Sequence, residues 1–263
     1  AGSLAVLEDA ERRPMALVAV NPNSKIICRV LDRNTDASID QAWFEARFTK
    51  ALDMRSRLYD APFYRLVHAE ADGLPGVVID RFGDTVVVQP NAAWADRLIA
   101  PMTAALASVT GVQNILKNAS GRARVLEGLD KENAVLLGTA PAEPVPVAMN
   151  GATYMADLTG GQKTGLFFDQ RANHGFGARL SKDARVLDVF SHVGGFSLAA
   201  LAGGAASATA VDGSAAALAL AEQGATAAGF GDRFATRKGD AFDLLEALKE
   251  EGQTFDVVIC DPP

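Results

Sequence analysis

The amino-acid sequence predicts an α/β protein whose C-terminal part is an open parallel sheet with helices on both faces, preceded by a small α+β domain and a short β unit. Three observations lead there. Beyond residue 180, short apolar runs alternate regularly with helical stretches; residues 63–89 instead repeat with a period of two; and the proline-rich segment 141–146 separates the two regimes. A chain of 263 residues is long enough for one large domain or two to three small ones.

In chain order, residues 4–9, 15–22 and 25–31 read as short strands between charged or Asn/Pro turns, which makes residues 1–36 a β unit. Ile39, Trp43, Phe44, Ala46, Phe48 and Leu52 recur at helical spacing, so a helix is expected over 39–59 with Asp36 or Ser38 as its N-cap. Strands follow on either side of the Asp72-Gly73-Leu74-Pro75-Gly76 and Gly83-Asp84 turns. A helix over 94–109, a strand at 113–118, a polar break at 119–124 and a strand at 134–137 complete a strand-strand-helix-strand-strand domain over 37–140. Residues 141–146 are the linker. In 147–263, strands are expected at 185–190, 207–212, 233–240 and 255–260, with helices at 194–205, 214–229 and 241–252 between them. Right-handed crossovers then bring every strand's carboxyl end to one edge, where ligands bind in such sheets.

Composition limits the partners. With 25 Lys and Arg against 32 Asp and Glu, the net charge of −7 argues against a surface dominated by phosphate contacts. A local basic patch is still available in the first 60 residues, which carry Arg12, Arg13, Lys25, Arg29, Arg33, Arg47, Lys50, Arg55 and Arg57. No apolar stretch approaches the roughly 20 residues that cross a bilayer, and no leader pattern opens the chain, so a cytoplasmic location is expected. Cys28 and Cys260 match no metal or redox spacing and read as reduced core thiols; no metal is expected. His192 falls in a candidate ligand loop, whereas His68 and His174 read as surface or interface residues.

Candidate chemistry gathers at the strand ends. Asp188, Asp212 and Asp240 close three successive strands, and Gly194 with Gly195 would let backbone approach a ligand closely. The first strand turn is not GxGxxG, so a pyrophosphate cradle is disfavoured and a ligand combining adenosine with an amino-acid group fits better. The plainer alternative is that the three aspartates cap the helices that follow them. Asp261-Pro262-Pro263 ends the fourth strand, where the carboxylate could accept hydrogen bonds from a flipped-out base; it is otherwise an ordinary strand-ending turn. The segment 160–173 offers Gly160, Gly161 and Gly165 for a close-fitting loop, Lys163 and Arg171 as cations and Gln170 as donor and acceptor. Alternatively it is a glycine-rich linker into a helix capped by Asp169.

These stretches, GGQKTGLFFDQRAN, VLDVFSHVGGFSLAA, AVDGS and FDVVICDPP, together with YRLVHAEADGLPGVVIDRFGD upstream, closely resemble the RlmI-type ribosomal RNA methyltransferases acting on carbon five of a cytosine. The resemblance covers nearly the whole chain. It implies the later part of a PUA domain over 1–36, an EEHEE domain over 37–140, and the N-terminal part of a Rossmann-like class I methyltransferase domain over 147–263, its sheet incomplete. It also implies S-adenosyl-L-methionine as cofactor and ribosomal RNA as partner; a homodimer is left open. On that resemblance Asp188, Phe190, Gly194 and Gly195 belong to the loop around the methionine part of the cofactor, Asp212 to the ribose, and Asp240 with Phe242 to the adenine, and Phe196, Ser214 and Ala241 are expected to bind the cofactor as well. Gln170 and Arg171 lie over the cofactor, and Asp261, Pro262 and Pro263 position the base. The family's nucleophilic cysteine falls beyond the chain, so this stretch by itself is expected to be inactive. The competing readings are an RNA nitrogen methyltransferase, a nicotinamide-dependent oxidoreductase and a non-catalytic RNA-binding module.

Overall fold

The computed structural model describes residues 1–160 and 165–262; residues 161–164, with Lys163 among them, and Pro263 lie outside. The described chain divides into two units, Ala1–Ala140 and Pro141–Pro263.

In the first unit, β1 (Ser3–Glu8), β2 (Pro14–Val20) and β3 (Cys28–Asp32) pair antiparallel in that order. Helix α1 (Gln41–Leu58) is capped by Asp40, whose carboxylate accepts the Trp43 N–H at 3.0 Å. Asp36 and Ser38 do not cap it, because the chain enters the helix with Ile39 already buried, and Ile39 and Phe44 stand at the positions of a hydrophobic staple. A second sheet follows from β4 (Phe63–His68), β5 (Val77–Phe82), β6 (Thr85–Pro90), β7 (Asn114–Lys117) and β8 (Ala134–Leu137), paired in sequence order. All neighbours are antiparallel except β6 and β7, which a helical crossover joins in parallel.

That crossover differs from the single helix expected over 94–109. It is α2 (Ala93–Arg97) and α3 (Ile99–Thr110), broken at Leu98. Pro101 explains the break, since its ring crowds the carbonyl four residues back, that of Arg97, and it has no N–H to donate. The polar break at 119–124 contains the start of another helix, α4 (Arg122–Leu126). The unit has one continuous apolar core: Leu17, Ala19 and Leu31 of the first sheet join Trp43, Phe44, Phe48 and Trp94, so packing runs across residue 36. The Phe44 and Trp94 rings stack at 6.1 Å and 5°.

The second unit opens with a hairpin that periodicity did not single out, β9 (Val145–Met149) and β10 (Ala152–Ala156), turning at Asn150-Gly151. Both turn residues have positive φ, 54° and 74°, as a tight two-residue hairpin turn requires. The expected linker therefore ends in a strand, with Pro146 tolerated in a two-stranded ladder. Then come α5 (Arg171–Leu180), β11 (Arg185–Val189), α6 (Gly195–Ala202), β12 (Ser207–Asp212), α7 (Ala215–Ala227), β13 (Phe234–Lys238), α8 (Ala241–Glu250) and β14 (Val257–Cys260). The strands are parallel in the order β13-β12-β11-β14, so their carboxyl ends share one edge as expected. Val186, Ala200, Leu201 and Ala208 pack on one face; Leu187, Val189, Val211 and Leu248 pack on the other.

Both cysteines correct the sequence reading: Cys28 and Cys260 are exposed, not core. Cys28 begins β3, a border strand of its sheet. Along β14, Val257 and Ile259 are half-buried while Val258 and Cys260 alternate to the uncovered face. Successive side chains of a strand point to opposite faces, so only every second residue of this run meets the packed one.

Candidate functional site

The site forms where the β11–α6 loop meets the end of β12. Phe190 and His192 adopt φ of +64° and +51°, a left-handed backbone that L residues keep only when their surroundings enforce it. Asp212 supplies that enforcement. Its Oδ2 accepts the His192 N–H at 2.8 Å and its Oδ1 accepts the Ser214 N–H at 2.7 Å, which leaves each oxygen a further lone pair for a ligand hydroxyl. Ser214 in turn caps α7 by accepting the Ala217 N–H at 3.2 Å.

Asp188 lies two residues deeper along the sheet register, opposite Ala210, and is fully buried. Its Oδ2 accepts from the Ser197 N–H at 2.9 Å and the Ser197 hydroxyl at 2.7 Å, fixing the first turn of α6. Burial raises its pKa to about 6, against the lowering effect of those hydrogen bonds.

The opposite wall comes from α5. His174 is 4% exposed, so the expectation of a surface residue is corrected. Its ring stands edge-on to Phe196 at 4.6 Å and stacks on Tyr154 at 6.3 Å. The Tyr154 hydroxyl donates to the Gly195 carbonyl at 3.1 Å. Gly195 is obligatory for a steric reason, since a Cβ there would stand 2.6 Å from His174 Nε2. Burial drives the His174 pKa down to about 4, so the ring is neutral at pH 7.

Between these walls is a cavity of about 440 Å³. Of the residues expected from sequence, Gln170, Phe190, Gly195, Phe196, Asp212, Ser214, Asp261 and Pro262 line it. Asp188 and Gly194 stand behind the lining, and Gly194 needs its φ of +77°. The Arg171 carbonyl accepts from the Asn150 amide at 2.8 Å, and its residue is not in the lining. Asp240, Ala241 and Phe242 are not brought to the cavity either. Asp240 caps α8 through the Phe242 N–H at 2.9 Å, the plainer alternative, and the Phe242 ring is 75% exposed. Pro263 is outside the described residues. Sequence reasoning missed Asp169 as a lining residue, and with it Phe167, His174 and Ser191. His192, placed by sequence in this loop, lines the cavity against the Phe167 ring at 5.0 Å.

The electrostatics are one-sided. Asp169, Asp212 and Asp261 line the cavity, Asp188 is buried behind it, and no Lys or Arg stands among the described lining residues. A pyrophosphate would meet only like charge there. A sulfonium-bearing nucleoside fits, since its cation meets carboxylates and aromatic faces. Polar atoms are also left over: among the described residues His174 Nδ1, Asp188 Oδ1 and Ser191 Oγ are buried without a hydrogen-bond partner, all on the elements that form this wall.

A parallel sheet with a carboxylate-lined cavity at its carboxyl edge defines the class of protein: an open α/β fold with a small-molecule-sized site at the strand ends. Residues 90–263 match the family described as S-adenosylmethionine-dependent methyltransferase, and the chain belongs to that family. It is 36% identical over 266 residues to ribosomal RNA large subunit methyltransferase I of Pseudoalteromonas translucida, covering 100% of this chain and 67% of that protein. It is 37% identical over 249 residues to the protein of the same name in Alteromonas mediterranea, covering 93% and 62%. The chain thus spans about two thirds of the length of the curated relatives it matches. Among solved structures, a chain of Streptococcus mutans assigned to the S-adenosylmethionine-dependent methyltransferases superposes with a TM-score of 0.86 at 24% identity, covering 100% of this chain and 69% of that one, which shows the shared fold. Among the described residues no helix is long and apolar enough to cross a membrane.

Proposed function

We propose that this chain binds S-adenosylmethionine in the cavity at the ends of β11 and β12 and serves the methylation of large-subunit ribosomal RNA at carbon five of a cytosine. The observation that carries the cofactor reading is the lining itself: three carboxylates, aromatic rings and no described cation suit a sulfonium and repel a pyrophosphate. The RNA reading is supported by the relatives' name, ribosomal RNA large subunit methyltransferase I. Bound in the cavity, the cofactor would supply an electrophilic methyl group.

The chain's own residues would do the positioning. Asp212 would accept the ribose hydroxyls while keeping the His192 and Ser214 amides in place. Asp261, exposed at the end of β14 and in the cavity lining, would accept hydrogen bonds from a base turned into the site. Carbon five of cytosine is a weak nucleophile and needs a thiolate added at carbon six. Neither Cys28 nor Cys260 lines the cavity, so this reading takes no thiolate from this chain. Residues 1–36 would act as a PUA-type RNA-binding unit beside an EEHEE domain.

Calorimetric titration with S-adenosylhomocysteine and with NADH tests the cofactor: the first should bind and the second should not. Nucleoside mass analysis of ribosomal RNA from cells with and without the gene tests the substrate. Loss of one 5-methylcytidine is expected, loss of an N-methylated nucleoside would move the assignment to nitrogen, and an unchanged profile would overturn the RNA reading.

A further inference from the structure

We propose that Asn150 is a positioning residue for the cofactor: its side-chain amide holds the first turn of α5, and the cavity wall it carries, in the arrangement that binds S-adenosylmethionine. The inference rests on the cofactor reading above and deepens it.

The wall needs such support. Helix α5 is ten residues long, contains Gly175 and Gly177, and among the described residues takes no side-chain cap at Gln170. Short helices with interior glycines are held by tertiary packing more than by their own propensity. Leu166, Phe167, Asp169, Gln170 and His174 of this stretch all line the cavity, so a drift of the first turn moves the wall.

Asn150 reaches that turn from the β9–β10 hairpin. Its Nδ2 donates to the Arg171 carbonyl at 2.8 Å, and its Oδ1 lies 3.7 Å from where a Cβ on Gly175 would stand, so the amide spans the first turn. The side on which it stands is firm. Val147, Met149, Ala152 and Tyr154 are buried, a Cβ on Gly224 of α7 would stand 2.7 Å from the Thr153 carbonyl oxygen, and the Tyr154 hydroxyl donates to the Gly195 carbonyl. The hairpin turn itself does not require this amide. Positive φ at both turn positions is met by Asp-Gly or Gly-Gly as well as by Asn-Gly, and neither alternative offers a side-chain donor at the first position. The donor is therefore explained by α5 and not by the turn.

Loss of the amide lowers the fraction of molecules whose wall is in place, and the apparent dissociation constant rises in inverse proportion. Asn150→Gly and Asn150→Asp both keep the turn and remove the donor. In calorimetric titrations each should weaken S-adenosylhomocysteine by about three- to tenfold, the size of one neutral hydrogen bond. Amide hydrogen exchange adds a readout that a purely structural role would not move. Without ligand, the N–H groups of residues 175–178 should exchange faster than in wild type while those of β9 and β10 do not, and saturating S-adenosylhomocysteine should bring the α5 rates back. Unchanged affinity in either variant overturns the proposal, as do wild-type exchange rates in α5 or equal acceleration in the hairpin. A folded wild-type protein that binds no S-adenosylhomocysteine would sink the cofactor reading instead, while the ligand-free exchange comparison still decides whether Asn150 holds the turn.

Discussion

Asp188 offers a quantitative test of how the site is built. Its carboxylate is fully buried, hydrogen-bonded to Ser197 through one oxygen, unpartnered at the other, and shifted by burial from an ordinary 3.8 to about 6. An acid with a raised folded-state pKa favours the folded protein fully while it is protonated, and that advantage is lost as pH climbs from the unfolded value through the folded one. The window is therefore pH 4 to about 6.5, and a shift of about two units corresponds to about 3 kcal/mol. Asp188→Asn removes the titration while keeping an oxygen that can accept from Ser197. At pH 4 the unfolded carboxyl is already about half ionised, so part of that difference falls below the range measured. Urea unfolding of both proteins from pH 4 to 7.5 should show near-equal stability at pH 4 and the Asn variant more stable by about 2 kcal/mol at pH 7. A difference between the two that stays flat across that range, or an Asn variant weaker at pH 7, would refute a buried, destabilising carboxylate.

Other residues make sharper or simpler cases. Glu127→Ala leaves Arg29 only its longer pair with Glu70 at 3.6 Å and takes a side-chain acceptor from Asn21 and Ser24 in the first unit, and should cost about 2 kcal/mol in urea unfolding at pH 7. Burial raises the Glu127 pKa but hydrogen bonds from Asn21, Arg29 and Ser24 outweigh it, so its contribution should disappear as pH falls below the ordinary 4.5. Gly195→Ala sets a Cβ against His174 and should weaken S-adenosylhomocysteine binding in titrations; trimming the ring with His174→Ala in the same chain should restore stability by about 1–3 kcal/mol relative to Gly195→Ala alone. Asp240→Ala should lower stability by about 1 kcal/mol through the lost α8 cap, with S-adenosylhomocysteine affinity unchanged and Asp240→Asn close to wild type. A loss of affinity in both Asp240 variants would return Asp240 to the ligand.

Period and turn chemistry made the sheet legible because each strand–helix pair is set by nearby residues. The β11, β12, β13 and β14 strands fall within a residue or two of the runs read from sequence. The β9–β10 hairpin was equally readable, with Asn150-Gly151 between runs that bury Val147, Met149, Ala152 and Tyr154, but the prolines before it argued for a linker. What periodicity could not supply was the third dimension of the site. Asp188, Asp212 and Asp240 look equivalent as strand-ending acids, yet one is entombed under α6, one braces the loop at the cavity wall and one caps α8 outside the lining. Depth along the register separates them, and depth depends on which residues of α6 and α8 fold back over the strand end.

The same reasoning explains why His174 escaped notice. Nothing local marks it: it stands in a short helix among small and polar residues, and its burial comes from Tyr154 on one distant element and Gly195 and Phe196 on another. The glycine was read as room for a ligand, whereas the structure spends that room on the imidazole. A Gly-Gly pair at a strand–helix turn therefore carries two separable requirements. Gly194 answers to backbone, with its φ of +77°, and Gly195 to the ring packed against it. Alanine at 194 should stay strained whatever faces it, while alanine at 195 depends on the residue at 174. That dependence ties the helix before β11 to the loop after it, so that α5 and the hairpin beneath it belong to the cavity as much as the strand ends do.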